Sequence, residues 1–156
     1  MSSSAADLGI WATIADEAGR ESALWASSLL PAGERDVTPV FSALAGSRYG
    51  LGLESIYEGY LLHFGRSRLF APADADTAIL LGDYLYAHGL VRIAASGDVD
   101  AVQQLAELIS LCAHLRAEGA DGDGEAWAQT AIRLGNGGAD PAAVDVALAE
   151  HGRRMH

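Results

Sequence analysis

Apolar residues occupy almost every helical turn of the segment 78–95, and only Asp83, His88 and Arg92 interrupt them. A helix that is apolar on all sides is typical of the middle of a bundle rather than of its surface. The pattern therefore predicts a central helix over 78–95. It also predicts that this helix carries one buried acid, Asp83, among apolar side chains.

Helical spacing of apolar residues also occurs before and after this segment, and no stretch alternates in the manner of a strand. We therefore expect an all-α, single-domain bundle over residues 1–156, with about six helices. Besides 78–95, the pattern places helices at 5–30 with a bend or break at Gly19, at 51–64, from about 99 to 118, around Trp127–Leu134, and from Pro141 onward.

Helix caps and breakers mark the ends of these segments. Asp74 or Asp76 can cap the helix over 78–95, and Gly97 after Ser96 is a typical helix end. Asp98 suits the start of the next helix.

Turn-forming residues predict the structure of two further segments. Thr38-Pro39 resembles an N-cap followed by proline at the first helical position, which predicts a short helix there. The segment 119–125 is rich in glycine and aspartate, so we expect a flexible hinge with Asp121, Asp123 and Glu125 in a solvated loop.

The chain has 21 acidic residues, ten arginines and no lysine, which gives a net charge of −11. Scattered arginines cannot form a basic stripe, so nucleic acid is not an expected partner. No apolar run is long enough to span a membrane, and the N-terminus does not read as a secretory signal. These features predict a cytoplasmic protein. The single cysteine, Cys112, lies on an apolar helix face and is expected to be a buried structural thiol.

The motifs of common catalytic and metal sites do not occur in the sequence. No histidine spacing matches a zinc site, and no nucleophile elbow or phosphate-binding glycine loop is present, so we assign no catalytic residue, no metal ligand and no cofactor. Histidines near the C-terminus, including His151, are interpreted as part of a mobile tail. Asp83 is the candidate functional or structural acid, because a buried carboxylate needs a donor. Candidate donors are Arg66, Arg68, Tyr57 and Tyr60.

The ten residues from Ala78, AILLGDYLYA, resemble the LxGDxLxA helix of trans-polyprenyl diphosphate synthases. Similar elements flank it: Leu61-Leu62-His63 upstream, and a Ser-Gly-Asp break and a helix ending in Ala117-Glu118-Gly119 downstream. The resemblance implies a truncated isoprenoid synthase fold. In that family, helices around the Gly-Asp step contribute to the subunit interface, which implies a docking surface that includes Tyr84, Tyr86 and His88.

The sequence departs from this family where paired aspartates would follow His63, because Phe64-Gly65 stands there and no DDxxD motif occurs. Those aspartates hold the magnesium ions that bind the allylic diphosphate. Arg66 and Arg68 are similar to basic residues beyond that motif, which makes them candidate diphosphate or ion-pair arginines. The resemblance therefore implies a non-catalytic subunit that binds a catalytic prenyl synthase and modulates it.

Two alternatives remain open from the sequence. One is an atypical enzyme that binds an isoprenoid diphosphate, with Asp83, Glu54 or Glu58 holding Mg²⁺. The other is a helical adaptor or homodimer unrelated to isoprenoids, with Trp11, Trp25 and the tyrosines on a partner-binding face.

Overall fold

The computed structural model describes residues 5–155 of the chain, and the side chains of residues 9–155. It confirms an all-α, single-domain bundle with six helices of seven or more residues and two shorter ones. No strand forms within this range, where a lone bridge pairs Leu29 with Phe70. The helices are α1 (Ala5–Glu21), α2 (Ala23–Ser28), α3 (Ser42–Ala45), α4 (Gly50–Phe64), α5 (Ala75–Ala95), α6 (Val99–Ala117), α7 (Asp123–Leu134) and α8 (Pro141–Met155).

The helix at the centre of the bundle is α4, and the prediction that 78–95 is central is wrong. Every residue of α4 from Gly52 to Leu62 is buried. In α5, by contrast, Leu80 is 56% exposed and Val91 is 66% exposed. Helix α5 packs against α4 on one side, and its opposite side stays exposed although it carries the apolar residues Leu80 and Val91.

Helix ends follow the predicted caps in the middle of the chain. The carboxylate of Asp74 accepts a hydrogen bond from the backbone N–H of Thr77 at 2.8 Å, and Asp98 accepts one from Ala101 at 2.9 Å. After α5, Gly97 has a φ of 84°, the left-handed conformation that glycine adopts without strain.

Three predicted boundaries differ from the structure. The first helical region breaks at Ser22 rather than at Gly19, and the Ser22 hydroxyl caps α2. No helix starts at Thr38-Pro39, since α3 begins only at Ser42. The predicted hinge is shorter than 119–125, because α7 begins at Asp123.

Two apolar clusters hold the helices together. The larger one joins α3, α4, α6 and α7, and Phe41, Tyr57, Leu105 and Trp127 are fully buried in it. The smaller one lies between α1, α5 and the segment after α4. Full burial of one large apolar side chain stabilises a fold by about 1.5–3 kcal/mol. Cys112 is buried in the larger cluster, as expected.

Candidate functional site

The outer side of α5 carries an apolar stripe, which the exposed Asp83 interrupts between Leu80 and Ala87. Leu80, Ala87 and Ala94 are all exposed and recur every seven residues, with exposed Val91 beside them. A seven-residue repeat of apolar side chains along one side of a helix is the pattern by which two helices pack lengthwise. The short alanine side chains leave room for the backbone of another helix to approach.

The neighbouring helix α6 carries the same repeat. Val99, Ala106 and Ala113 are exposed at seven-residue intervals, and Val99 is 75% exposed. Because residues 96–98 alone connect α5 to α6, the two helices form an antiparallel hairpin. The α5–α6 face is defined here as these exposed, uncharged residues: Leu80, Ala87, Val91, Ala94, Val99, Ala106 and Ala113.

On its inner side, α5 meets α4 through glycines. A Cβ added to Gly59 would lie 2.7 Å from the carbonyl oxygen of Gly82, and one added to Gly89 would lie 2.8 Å from that of Gly52. Backbone atoms cannot give way as side chains do, so only glycine allows this crossing. Gly82 of the Gly-Asp step is therefore a packing residue, and it fixes α5 firmly on the core.

Asp83 of the same step is exposed, and the prediction that it is buried is wrong. Its side chain is 59% exposed, and Oδ1 lies 3.0 Å from Nε2 of His63. Since Gly82 takes the position against α4, the next residue turns outward. An exposed pair of this kind contributes about 0–1 kcal/mol. The partner of Asp83 is thus His63, and not one of the candidate donors Arg66, Arg68, Tyr57 and Tyr60.

The buried acids of the protein lie instead on α4, where Glu54 and Glu58 share Arg68. Nη1 of Arg68 lies 2.5 Å from Glu54 and Nε lies 2.9 Å from Glu58, while its guanidinium stacks 4.4 Å from the ring centre of Trp11. Burial favours the neutral arginine, but the two carboxylates outweigh it and raise the pKa of Arg68. Its side chain is fully buried, so it is not open to a diphosphate.

The other candidate arginine remains near the surface. Arg66 donates a hydrogen bond to the carbonyl oxygen of Arg153 in α8, and no carboxylate within the described residues pairs with it. It therefore attaches the end of α4 to the end of the chain.

The structure separates the five candidate interface residues. Trp11 is 3% exposed and belongs to the smaller core, so its assignment to an interface is wrong. Tyr86 is half-buried against His63. The remaining three come together at the junction of α2 and α5, where ring centres are 5.9 Å apart for Trp25 and Tyr84, and 4.5 Å apart for Tyr84 and His88.

A buried polar network, which the sequence did not reveal, joins α4, α6, α7 and α8 around Asp123. Oδ2 of Asp123 lies 3.1 Å from Nε2 of His151 and accepts hydrogen bonds from Tyr60 at 2.6 Å and from Arg116 at 2.9 Å. Nδ1 of His151 lies 2.6 Å from the hydroxyl oxygen of Tyr57. The interpretations of Asp123 as a solvated loop residue and of His151 as part of a mobile tail are both wrong.

Electrostatics within this network favour the charged form of Asp123 at neutral pH. Burial alone would raise the pKa of Asp123, but hydrogen bonds from His151 and Tyr60 and the charge of Arg116 lower it well below its usual range. Burial raises the pKa of the nearby Cys112 thiol to about 12. A thiol in that state is a poor nucleophile at neutral pH. The hydrogen bonds around Asp123 connect α4, α6, α7 and α8.

Within residues 5–155, no group of three or more histidine, cysteine, aspartate or glutamate side chains is placed to hold a metal ion. None of the described helices is both long enough and apolar enough to cross a membrane. Comparisons with protein-family models, with curated proteins and with solved structures gave no match to this chain.

Proposed function

We propose that this protein is a non-catalytic helical subunit that binds another protein through the α5–α6 face. The observation that carries the proposal is the face itself. It combines two exposed seven-residue apolar repeats on a helical hairpin, and glycine contacts fix the inner side of α5 on α4. Helices that present such repeats are suited to lengthwise packing against other helices.

The dimensions of the face fit a stable protein interface. A standard interface covers about 800 Å² of each partner, which is about a tenth of the 7886 Å² that this chain exposes. The two helices have 21 and 19 residues, so each is about 30 Å long. A partner that packed along both helices would therefore have several helical turns over which to bury an area of that order.

The sequence resemblance to trans-polyprenyl diphosphate synthases favours a catalytic member of that family as the partner. The chain lacks the paired aspartates with which those enzymes hold magnesium. Glu54 and Glu58 do not replace them, because both carboxylates are buried and paired with Arg68. A role in assembly therefore fits this chain better than one in ionising an allylic diphosphate.

A second copy of the chain is the other candidate partner. One apolar hairpin can pack on its own copy around a two-fold axis, although the exposed carboxylate of Asp83 lies between Leu80 and Ala87 and would have to pair with His63 or remain at the edge of such a contact. The net charge of −11 acts against it, since two copies repel each other at low salt.

Light scattering after size exclusion tests the proposal. The protein is measured alone and after mixing with the polyprenyl diphosphate synthase of the same organism, and the synthase is assayed for rate and product chain length with and without it. A complex with altered rate or chain length supports the proposal. A homodimer that ignores the synthase reassigns the face to self-association, and a monomer that neither binds nor alters the enzyme contradicts the proposed function.

A further inference from the structure

A small cleft lies where the last turn of α5 passes the first turn of α4, and none of its lining residues belongs to the α5–α6 face. Its volume is about 270 Å³, and its lining includes Arg48 and Arg92 together with the apolar side chains of Leu51 and Ile93. No acidic residue lines it. The chain as a whole has 21 acidic residues and ten arginines, so a cleft lined by two arginines and no acid differs in charge from the rest of the protein.

Arg48 is the more accessible of the two arginines. Its side chain is exposed and donates one hydrogen bond, of 3.3 Å, to the carbonyl oxygen of Ser96. Its guanidinium also lies over the ring of Tyr49, 5.2 Å from the ring centre. No ion pair among the described residues includes Arg48. Most of its donors are therefore open to a ligand.

Arg92 is less exposed than Arg48, and one of its hydrogen-bond donors has no partner. Its Nη2 pairs with Glu17 of α1, but its Nε is shielded from solvent and has no hydrogen-bond partner. Burial lowers the pKa of Arg92. An anion close to this guanidinium would supply an acceptor for the unpartnered Nε.

The surroundings of the cleft contain both signs of charge. Glu17 contacts Arg92 from α1, and Asp98 lies near Arg48 but accepts a hydrogen bond from the Tyr49 hydroxyl at 2.5 Å. The first turn of α4 contains no acidic residue and has no side-chain cap, so the positive end of its dipole adds to the two arginines. Neither acid is among the residues that line the cleft, and the two charged side chains in its lining are both arginines.

We propose that this cleft binds a small molecule in which an oxyanion, either carboxylate or phosphate, is attached to a short apolar group. Arg48 and Arg92 hold the oxyanion, and Leu51 and Ile93 contact the apolar part. The volume of about 270 Å³ is just below the usual range for small-molecule sites, about 300–1,000 Å³, so the ligand must be short. This site is independent of the proposed subunit function, since it does not overlap the α5–α6 face.

A titration followed by ¹H–¹⁵N NMR tests the site with four probes. Hexanoate and butyl phosphate carry both an oxyanion and an apolar group, whereas inorganic phosphate and hexanol each lack one of them. We expect saturable shifts of the amides of Gly52 and Ser96 with at least one of the first two, and binding at least about tenfold weaker with the last two. Hexanoate alone would identify a carboxylate site, and butyl phosphate alone a phosphate site.

Two matched variants complete the test. Arg48→Gln removes an exposed arginine with one 3.3 Å hydrogen bond, and Arg133→Gln removes another exposed arginine with one 3.3 Å hydrogen bond elsewhere. We expect Arg48→Gln to weaken binding about tenfold and Arg133→Gln to leave it unchanged. Unchanged binding in Arg48→Gln, equal binding of all four probes, or no saturable shift with either amphiphilic anion would overturn the proposal.

Discussion

Oδ2 of Asp123 lies 3.1 Å from Nε2 of His151, and this contact joins the first turn of α7 to the last turns of α8. When His151 is neutral, its Nδ1 accepts a hydrogen bond from the Tyr57 hydroxyl and its Nε2–H donates one to Asp123. Both ring nitrogens of His151 then have a partner. The contact spans 28 residues and holds the C-terminal helix on the core.

The first prediction concerns the pH dependence of stability. The pKa of Asp123 is lower in the folded protein than in the unfolded chain. Its contribution is therefore fully present above the unfolded pKa, about 4, and is lost as the pH falls toward the folded pKa. We expect Asp123→Asn to lower the free energy of unfolding by about 2 kcal/mol at neutral pH, and the difference from wild type to shrink below about pH 4.

Urea unfolding at a series of pH values measures this difference. Asp121→Asn is the control, because Asp121 is exposed and forms no ion pair among the described residues. Its effect is expected to stay within about 0.5 kcal/mol. A penalty for Asp123→Asn that stays constant down to the lowest accessible pH would show that the Asp123 charge is not what stabilises the contact.

The second prediction concerns the buried ion pairs that Arg68 forms with Glu54 and Glu58. Arg68→Met leaves Glu54 and Glu58 buried without a cation, and we expect a loss of about 3–5 kcal/mol in the free energy of unfolding. Arg66→Met removes a surface arginine and is expected to cost less than about 1 kcal/mol. Denaturant unfolding of both variants gives the comparison, and equal losses would rule out the buried ion pair.

If Arg68→Met does not fold, a further variant keeps the prediction testable. Adding Glu54→Gln and Glu58→Gln removes the stranded charges and is expected to restore a cooperative transition. A triple variant that is no more stable than the single one would contradict the account.

The third prediction separates the two residues of the Gly-Asp step. A Cβ at Gly82 would lie 2.9 Å from the carbonyl oxygen of Gly59, so Gly82→Ala is expected to cost about 1–3 kcal/mol. Asp83→Ala is expected to cost less than about 1 kcal/mol, because it removes only an exposed pair with His63. Thermal unfolding of the two variants measures the difference.

Gly152→Ala is the control for helix propensity in this comparison. No atom lies within 4 Å of the Cβ it would add to α8, so it is expected to stabilise the protein by about 0.5–1 kcal/mol. If Gly82→Ala behaved like Gly152→Ala, the close crossing of α4 and α5 would not exist.

Local patterns predicted most of the helices, because apolar spacing and caps act over a few residues. The segments 51–64 and 78–95 and the end at Gly97 required only those short-range rules. The prediction of a short helix at Thr38-Pro39 was wrong, although it used the same short-range rules. The Asp36 carboxylate accepts a hydrogen bond from the Thr38 N–H, and the chain makes a turn there instead.

The centre of the bundle was not predictable from apolar content. Glu54 and Glu58 make α4 look less suited to burial than α5, and only Arg68, which follows them in the chain, makes their burial possible. The same reasoning misplaced the buried acid at Asp83. Ranking helices by apolar content does not predict which acidic residues are buried, because it takes no account of salt bridges between distant segments.

The network around Asp123 depends on contacts across the whole chain. Tyr57 and His151 are 94 residues apart, and Tyr60 and Asp123 are 63 residues apart. No local spacing signals such pairs. The seven-residue repeats of α5 and α6 were visible in the sequence, but only the fold shows which apolar positions remain exposed.

The most direct test of the central claim compares two valines on different helices. Val91 lies in the α5–α6 face and is 66% exposed, and Val146 lies on α8 and is 68% exposed. Light scattering gives the mass of the assembly formed by each variant, alone or with the synthase. We predict that Val91→Arg abolishes assembly and that Val146→Arg leaves it intact. Assembly that survives Val91→Arg, or that is lost equally in both variants, would contradict the account.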